Sequence, residues 1–295
     1  MNRFRTAIKK GEFLITAEVA PPKGANTAKM LEMAEGLKGR VHAVNITDGS
    51  RAVLGMSSLG ASVILKNNGI EPIYQVACRD RNRIGLQGDL LGAAALGIEN
   101  ILALTGDPVK AGDHQDAKSV FDFESIRLLQ AIDKLNHGVN WNGKKLPDGG
   151  TDLFAGAAVD PQSTSKSGLK KRFEKKLLAG AQFFQSQLIT DFDKLEKFMK
   201  EVAVETDKPI LAGIFLLKSA KNAAFINKYV PGVNIPDSII DRLGNAEKPL
   251  EEGMKIAAEQ VKIAGGICHG VHLMAVKREE LIPPILDLAG IEGIS

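Results

Sequence analysis

Short apolar runs recur along the chain, each bounded by polar or glycine-rich residues. Eight read as β-strands: residues 13–19 (FLITAEV), 41–46 (VHAVNI), 72–76 (PIYQV), 100–104 (NILAL), 153–159 (LFAGAAV), 182–187 (QFFQSQ), 209–214 (PILAGI) and 267–273 (ICHGVHL). Most are near-continuous rather than alternating, the pattern of strands covered on both faces. Between them, apolar positions return at helical spacing. Asn26 reads as an N-cap ahead of Met30, Leu31, Ala34 and Leu37. Val53, Leu54, Leu59, Val63 and Ile64 predict a second helix; Leu90, Leu91, Ala94, Ala95 and Leu96 predict a third that contains Gly92. Residues 124–135 give a fourth, and further helices are predicted over 167–179, 192–206, 220–228, 238–242, 250–264 and 279–288.

Gly39, Gly69, Gly97, Gly180 and the pair Gly265 and Gly266 each follow a helical run and lead into a strand. Glycine just past a helix adopts the left-handed conformation that ends it. The chain therefore repeats helix, glycine stop, turn and strand, which implies parallel pairing. Eight such strands predict an α/β protein of the closed (β/α)8 TIM-barrel class, a single domain over residues 1–295. An open doubly wound sheet is the alternative that the alternation leaves open. Two long irregular stretches, 107–122 and 138–152, interrupt the pattern. Alternation resumes after each, so neither reads as a linker, and loops of this length often act as lids or ligand loops.

Composition narrows the function classes. Over 295 residues, 44% are hydrophobic and 25% charged, which suits a globular core and not a disordered chain. A net charge of +3 hints at an anionic ligand, without the clustered Lys and Arg of a nucleic-acid footprint, so no nucleic-acid partner is expected. Two cysteines, Cys78 and Cys268, exclude a disulfide scaffold and a four-cysteine zinc site. The amino terminus is basic, but the apolar run that follows is short and carries Glu18, unlike a signal peptide. No run approaches the roughly 20 apolar residues of a membrane span. A cytoplasmic location is expected.

In a parallel barrel, ligands sit at the carboxyl ends of the strands. Those ends supply Glu18, Asp48, Gln75, Cys78, Arg79, Thr105, Gly106, Asp107, Asp160, Gln187, Lys218, His272 and Met274. Glu18 stands out, because a charge inside the apolar run ITAEVAPP is costly unless solvated in a cleft or paired. It reads either as a general acid or as half of a buried ion pair with Arg51 or Lys23. In LALTGDP at 102–108, Gly106 permits close backbone approach to a ligand, although Gly-Asp-Pro is also ordinary turn chemistry. Lys170, Lys171, Arg172, Lys175 and Lys176 form a basic helix start, read as a solvated face or as a phosphate contact. Cys268, His269 and His272 lie in a strand pattern and lack further metal ligands, so no metal site is expected. Neither G-x-G-x-x-G nor G-x-x-x-x-G-K-[ST] occurs, which argues against a Rossmann or P-loop nucleotide site.

Several longer motifs carry a family resemblance: AEVAPPKG at 17–24, VNITDGS at 44–50, CRDRNRIGLQGDLLGAAALGIENILALTGDP at 78–108, GAAVDP at 156–161, and the strand holding Gln187. Together they resemble the methylenetetrahydrofolate reductase family over roughly residues 13–282. The resemblance implies a (β/α)8 barrel that holds FAD and reduces 5,10-methylenetetrahydrofolate to 5-methyltetrahydrofolate, an oxidoreductase of one-carbon metabolism and methionine biosynthesis. It implies that Glu18, in its E-x-x-P-P segment, is the general acid, and that Asp107 lies beside flavin and pterin. It further implies flavin contacts from Thr47, Asp48, Gln75, Thr105, Gly106, Ala158 and Asp160, with Lys176 at the FAD diphosphate. Gln187 and Arg278 fall on substrate-binding positions.

Three positions depart from the family pattern. Asp48 stands where many relatives carry an aromatic residue, Gln75 where some carry histidine, and Leu217 where a phenylalanine would stack on nicotinamide or folate. NADH or NADPH is therefore one expected electron donor and a partner protein the other. A homo-oligomer or hetero-complex is expected. The rival readings are a folate- and flavin-binding subunit that takes electrons only from a partner, and a flavin-free folate methyltransferase-type barrel.

Overall fold

Eight strands pair in parallel, in chain order, and β8 closes back on β1 to complete a barrel. The computed structural model describes residues 2–230 and 232–294. In order, the elements are α1 (Arg3–Lys10), β1 (Leu14–Val19), α2 (Ala28–Glu35), β2 (Ala43–Ile46), α3 (Ser58–Asn67), β3 (Pro72–Ala77), α4 (Arg83–Ala95), β4 (Asn100–Leu104) and α5 (Ser125–Asn136). There follow β5 (Phe154–Val159), α6 (Lys166–Leu178), β6 (Phe183–Leu188), α7 (Phe192–Glu201), β7 (Ile210–Phe215), α8 (Ala220–Tyr229), α9 (Asp237–Asn245), α10 (Pro249–Gly265), β8 (Gly270–Met274) and α11 (Ile282–Leu288). This is the (β/α)8 TIM barrel, and the open-sheet alternative falls.

Strand side chains alternate between two cores. One set, including Ile15, Ala17, Val44, Ile46, Val76, Ala103 and Ala157, packs outward against the helices. The other set points inward, where Leu14, Ala43, Ile73, Leu102, Phe183 and Leu211 form a buried apolar layer with Phe4 of α1. That explains the near-continuous apolar runs: both strand faces are covered.

The short helix α1 escapes the sequence pattern. It seals the amino end of the barrel with Phe4, whose ring meets Phe183 edge-on at 5.1 Å. Asn2 caps it by accepting from the Arg5 N–H at 3.1 Å, and Arg5 grips Asp152 through two hydrogen bonds of 2.7 and 3.0 Å.

Local expectations fare unevenly. Gly39, Gly69, Gly97 and Gly180 do take left-handed φ values of 77°, 73°, 75° and 99°. Gly266 does not: α10 runs through Gly265 and leaves at φ −88°. The second predicted helix begins only at Ser58, because the Ser57 hydroxyl caps it, and Val53 and Leu54 lie in the preceding loop. Asn26 is one residue too early to be the N-cap of α2, and its side chain instead accepts from the Ala28 N–H. The stretch 138–152 joins α5 to β5 at the amino end of the barrel, but part of it runs back toward the starts of α4 and α5, where the Trp141 N–H donates to the Gln87 side chain at 2.7 Å. Its Trp141 packs on Phe123, with ring centroids 4.6 Å apart.

Candidate active site

Following the inward phase of each strand toward its carboxyl end leads from apolar to polar residues. Above the Phe183 layer come Thr16, Asn45, Gln75, Gln185 and His272, all buried. One step further stand Glu18 on β1 and Thr47 just past β2. A polar layer inside a barrel is tolerated when its members satisfy one another. Here Asn45 and Gln185 exchange amide hydrogen bonds of 2.7 and 3.0 Å, and Gln185 donates to the Thr16 hydroxyl at 3.1 Å. Thr16 in turn lies 3.0 Å from His272 Nδ1.

Glu18 sits at the top of this network. Its Oε2 lies 3.8 Å from His272 Nε2. Among the described residues neither Arg51 nor Lys23 pairs with Glu18, the pairing that the sequence allows; the group that faces it is the His272 ring. The Glu18 side chain is 23% exposed, open enough to reach a ligand in the mouth.

The β6 end is shaped by an irregularity. The register between β6 and β7 shifts between Gln185 and Leu188, leaving one extra residue on β6. The Ser186 hydroxyl accepts from the Gly213 N–H at 2.8 Å, and a Cβ on Gly213 would come within 2.7 Å of the Gln187 carbonyl oxygen. Only glycine fits there. Bulges of this kind re-aim side chains near active sites, and Gln187 is exposed while Gln185 stays buried.

The loops after β2, β3 and β4 are tied together. The buried Arg79 side chain donates to the Gly49 carbonyl at 3.1 Å and grips Asp80. Asp107 accepts from the Arg51 N–H at 2.7 Å through one oxygen, and Asp113 accepts from the Leu54 N–H at 3.0 Å. Gly106 turns the chain at φ 94°, with Ala77 and Arg79 close beneath it. Thr105 accepts from the Ser125 N–H at the start of α5. Asp48 is already engaged: it pairs with the Arg81 guanidinium and accepts from the Ala77 N–H at 2.8 Å.

On the β5 side, Lys176 lies in the last turn of α6, not at a helix start. Its ammonium donates to the Ala158 carbonyl at 2.7 Å. Burial, and then the neighbouring Arg172, hold its pKa below the ordinary lysine value. Two ammonium hydrogens remain, beside a cavity of about 120 Å³ lined by Ala158, Asp160, Arg172 and Lys176. Asp160 accepts from the Gln162 N–H at 3.1 Å. A second cavity of about 490 Å³ opens beside Thr105, Gly106, Phe121 and Arg127.

The residues implied as cofactor contacts therefore occupy one continuous arc, from the end of β2 to the end of β5. Glu18, Gln187 and Arg278 belong to β1, β6 and the loop after β8. Arg278 is held by Glu280 at 2.5 Å. Among the described residues, no group of three or more His, Cys, Asp or Glu side chains is arranged to hold a metal ion. Cys268 and His269 precede β8, and His269 Nδ1 accepts from the Ile210 N–H. No described helix is long and apolar enough to cross a membrane.

Several residues of the site escaped the sequence reading. Thr16, Asn45 and Gln185 interrupt apolar runs two positions before Glu18, Thr47 and Gln187, and that period of two was the available signal. Arg81, which occupies Asp48, and Glu279, a buried carboxylate behind the mouth, gave none.

The fold and the site define a closed (β/α)8 barrel with a carboxylate and a histidine facing each other at its mouth. The methylenetetrahydrofolate reductase family model matches residues 3–290, and the chain belongs to that family. It is 25% identical over 256 residues to "Methylenetetrahydrofolate reductase 2" of Schizosaccharomyces pombe, covering 78% of this chain and 37% of that protein. It is 24% identical to the "Probable methylenetetrahydrofolate reductase (NADPH)" of Caenorhabditis elegans, covering 81% of this chain and 35% of that protein. The chain thus spans well under half the length of these curated relatives. Among solved structures, a Clostridium thermocellum protein described as binding two copies of 5-methyl-5,6,7,8-tetrahydrofolic acid superposes with a TM-score of 0.67 at 16% identity. That superposition covers 98% of this chain and 99% of the other, and at this identity it shows the shared fold.

Proposed function

We propose that this chain reduces 5,10-methylenetetrahydrofolate to 5-methyltetrahydrofolate with FAD as its cofactor. The observation that carries the reading is Glu18, a half-buried carboxyl facing His272 in the mouth of a barrel that the family model matches nearly end to end. The Clostridium thermocellum neighbour supports a folate ligand for this kind of barrel.

The residues present suit the cofactor. Lys176 has ammonium hydrogens to spare beside the 120 Å³ cavity, which suits a diphosphate. Gly106, turned at φ 94° with its missing Cβ on the side of Ala77 and Arg79, presents its backbone to the 490 Å³ cavity where a ring system could lie. Asp107 keeps one carboxylate oxygen unused by Arg51. Asp48 acts at one remove, by fixing Arg81 and the end of β3. When bound, the flavin supplies a hydride to the one-carbon unit.

The chain's own groups do the rest. Opening the imidazolidine ring of the substrate leaves a cation at N5 and requires a proton on N10. Glu18 holds that proton, and His272 stabilises the carboxylate left behind. Asp107 offers negative charge where the cation develops. Gln187 orients the pterin from the β6 bulge, and Arg278 suits the carboxylates of the folate tail.

The test is direct. The purified chain, loaded with FAD and reduced anaerobically, is mixed with methylenetetrahydrofolate while flavin absorbance and 5-methyltetrahydrofolate are followed. Reoxidation matched by product is expected. A chain that binds folate but retains no flavin would overturn the reading in favour of a methyltransferase-type barrel.

The electron donor is a separate matter. Leu217 is 4% exposed, buried in an apolar cluster with Ala223, Ile226 and Ile256 against which Phe215 also packs. Phe184 packs outward on Phe173. Phe215 shares the inward phase of Leu211 and Gly213 and is the one aromatic at the end of β7. This favours a donor other than a nicotinamide stacked on Leu217, and a partner protein is the second reading.

A further inference from the structure

The polar layer beneath Glu18 has a direction. The Gln185 carbonyl oxygen takes a hydrogen from Asn45, so its amide nitrogen spends both hydrogens, on Asn45 and on Thr16. Thr16 accepts at its hydroxyl and has one hydrogen left to give. Its two candidate acceptors are the Val271 carbonyl at 3.5 Å and His272 Nδ1 at 3.0 Å. The shorter contact wins, and a ring nitrogen that accepts carries no proton. Neutral His272 then carries its proton on Nε2, the nitrogen facing Glu18. Were the Gln185 amide reversed, Thr16 would donate to it and accept from Nδ1–H. A lone pair on Nε2 would then face Glu18 and compete with N10 for the proton that Glu18 must hold.

We propose that Gln185, locked to Asn45, is a positioning residue that sets the tautomer of His272 and so keeps an N–H directed at Glu18. All four members, Thr16, Asn45, Gln185 and His272, are at most 4% exposed, so water does not compete for these bonds. The consequence for turnover rests on the reading of Glu18 as the acid; the tautomer does not.

One substitution reverses the direction. In Gln185→Glu, the ionised side chain only accepts. The Thr16 hydrogen must turn toward it, and Nδ1 must become the donor. The measurement is long-range proton–nitrogen correlation on the full chain labelled at its histidine nitrogens, with His272→Gln used to assign the ring. With the ring neutral, wild type should show Nε2–H and Gln185→Glu should show Nδ1–H. Thr16→Val, apolar and similar in volume, should leave the ring as a mixture of tautomers even if Gln185→Glu folds poorly. Nδ1–H in the wild type, or Nε2–H retained in both Gln185→Glu and Thr16→Val, would overturn the proposal.

Kinetics separate it from the functional reading. Gln185→Glu should slow oxidation of reduced flavin by methylenetetrahydrofolate about 10- to 100-fold and displace its pH profile, leaving flavin reduction alone. A switched tautomer with unchanged kinetics would leave the positioning device standing and sink Glu18 as the acid.

Discussion

Lys176 offers the sharpest quantitative test of the cofactor site. The sequence allows a solvated lysine, yet the amine is buried at the end of α6, gives one hydrogen to the Ala158 carbonyl and has its pKa lowered by burial. Lys176→Met keeps the length and apolar character of the stem and removes the charge. If the remaining hydrogens meet a phosphate oxygen, each charge-assisted bond contributes roughly 1.5–3 kcal/mol. That corresponds to about a 10- to 100-fold loss of FAD affinity. Riboflavin, which has the same ring system but no phosphate, provides the control. Titrating the apoprotein with both flavins should show weaker FAD binding with riboflavin unchanged. Equal weakening of both would mean that the variant has distorted the β5 edge. No change in either would return Lys176 to a purely structural bond with Ala158.

Four further outcomes follow from the same geometry. Glu18→Gln should keep FAD and its reduction by the donor, while slowing oxidation by methylenetetrahydrofolate at least about 100-fold in stopped flow; equal losses in both halves would make Glu18 structural. Gly156→Ala would put a Cβ within 2.3–2.5 Å of three Phe183 ring carbons, and Phe183 is already stacked on Phe154 at 5.6 Å; destabilisation of about 1–3 kcal/mol is expected in denaturant unfolding, and an unchanged midpoint would mean that the barrel layer is loosely packed. Glu279 is buried with one oxygen unpartnered, and burial first, then Glu280 and Glu18, raise its pKa above the ordinary 4.5. A raised folded-state value means stability that is full below 4.5 and lost as pH rises through that folded-state value, so Glu279→Gln should gain melting temperature over wild type as pH rises above 4.5; a constant difference would refute this. Finally, NADH and NADPH should bleach the flavin of the isolated chain slowly, and anaerobic rates on the order of 10 s⁻¹ or more would remove the case for a partner donor.

Much of the scaffold is determined by the sequence alone. Where strand and helix faces must be apolar, the pattern places all eight strands to within a few residues, and three glycine stops, Gly69, Gly97 and Gly180, mark helix ends because only glycine adopts that backbone cheaply. Glu18, Asp107 and Gln187 are visible as polar residues at strand ends. Burial alone, however, does not say what a buried polar residue meets. Closing the barrel brings together Asn45 and Gln185, 140 positions apart, and Thr16 and His272, 256 apart. No local period encodes such pairings. The same holds for Asp48, whose carboxylate is taken by Arg81 33 positions away, and for the bulge beyond Gln185 that leaves Gln185 buried and Gln187 exposed. Helix α1 is the simplest case: eight basic and apolar residues read as an unremarkable terminus until the open amino end of the barrel gives Phe4 a core to enter. Periodicity fixes which face of each element avoids water. Only closure of the sheet decides which polar groups must then satisfy one another, and that is where the candidate chemistry resides.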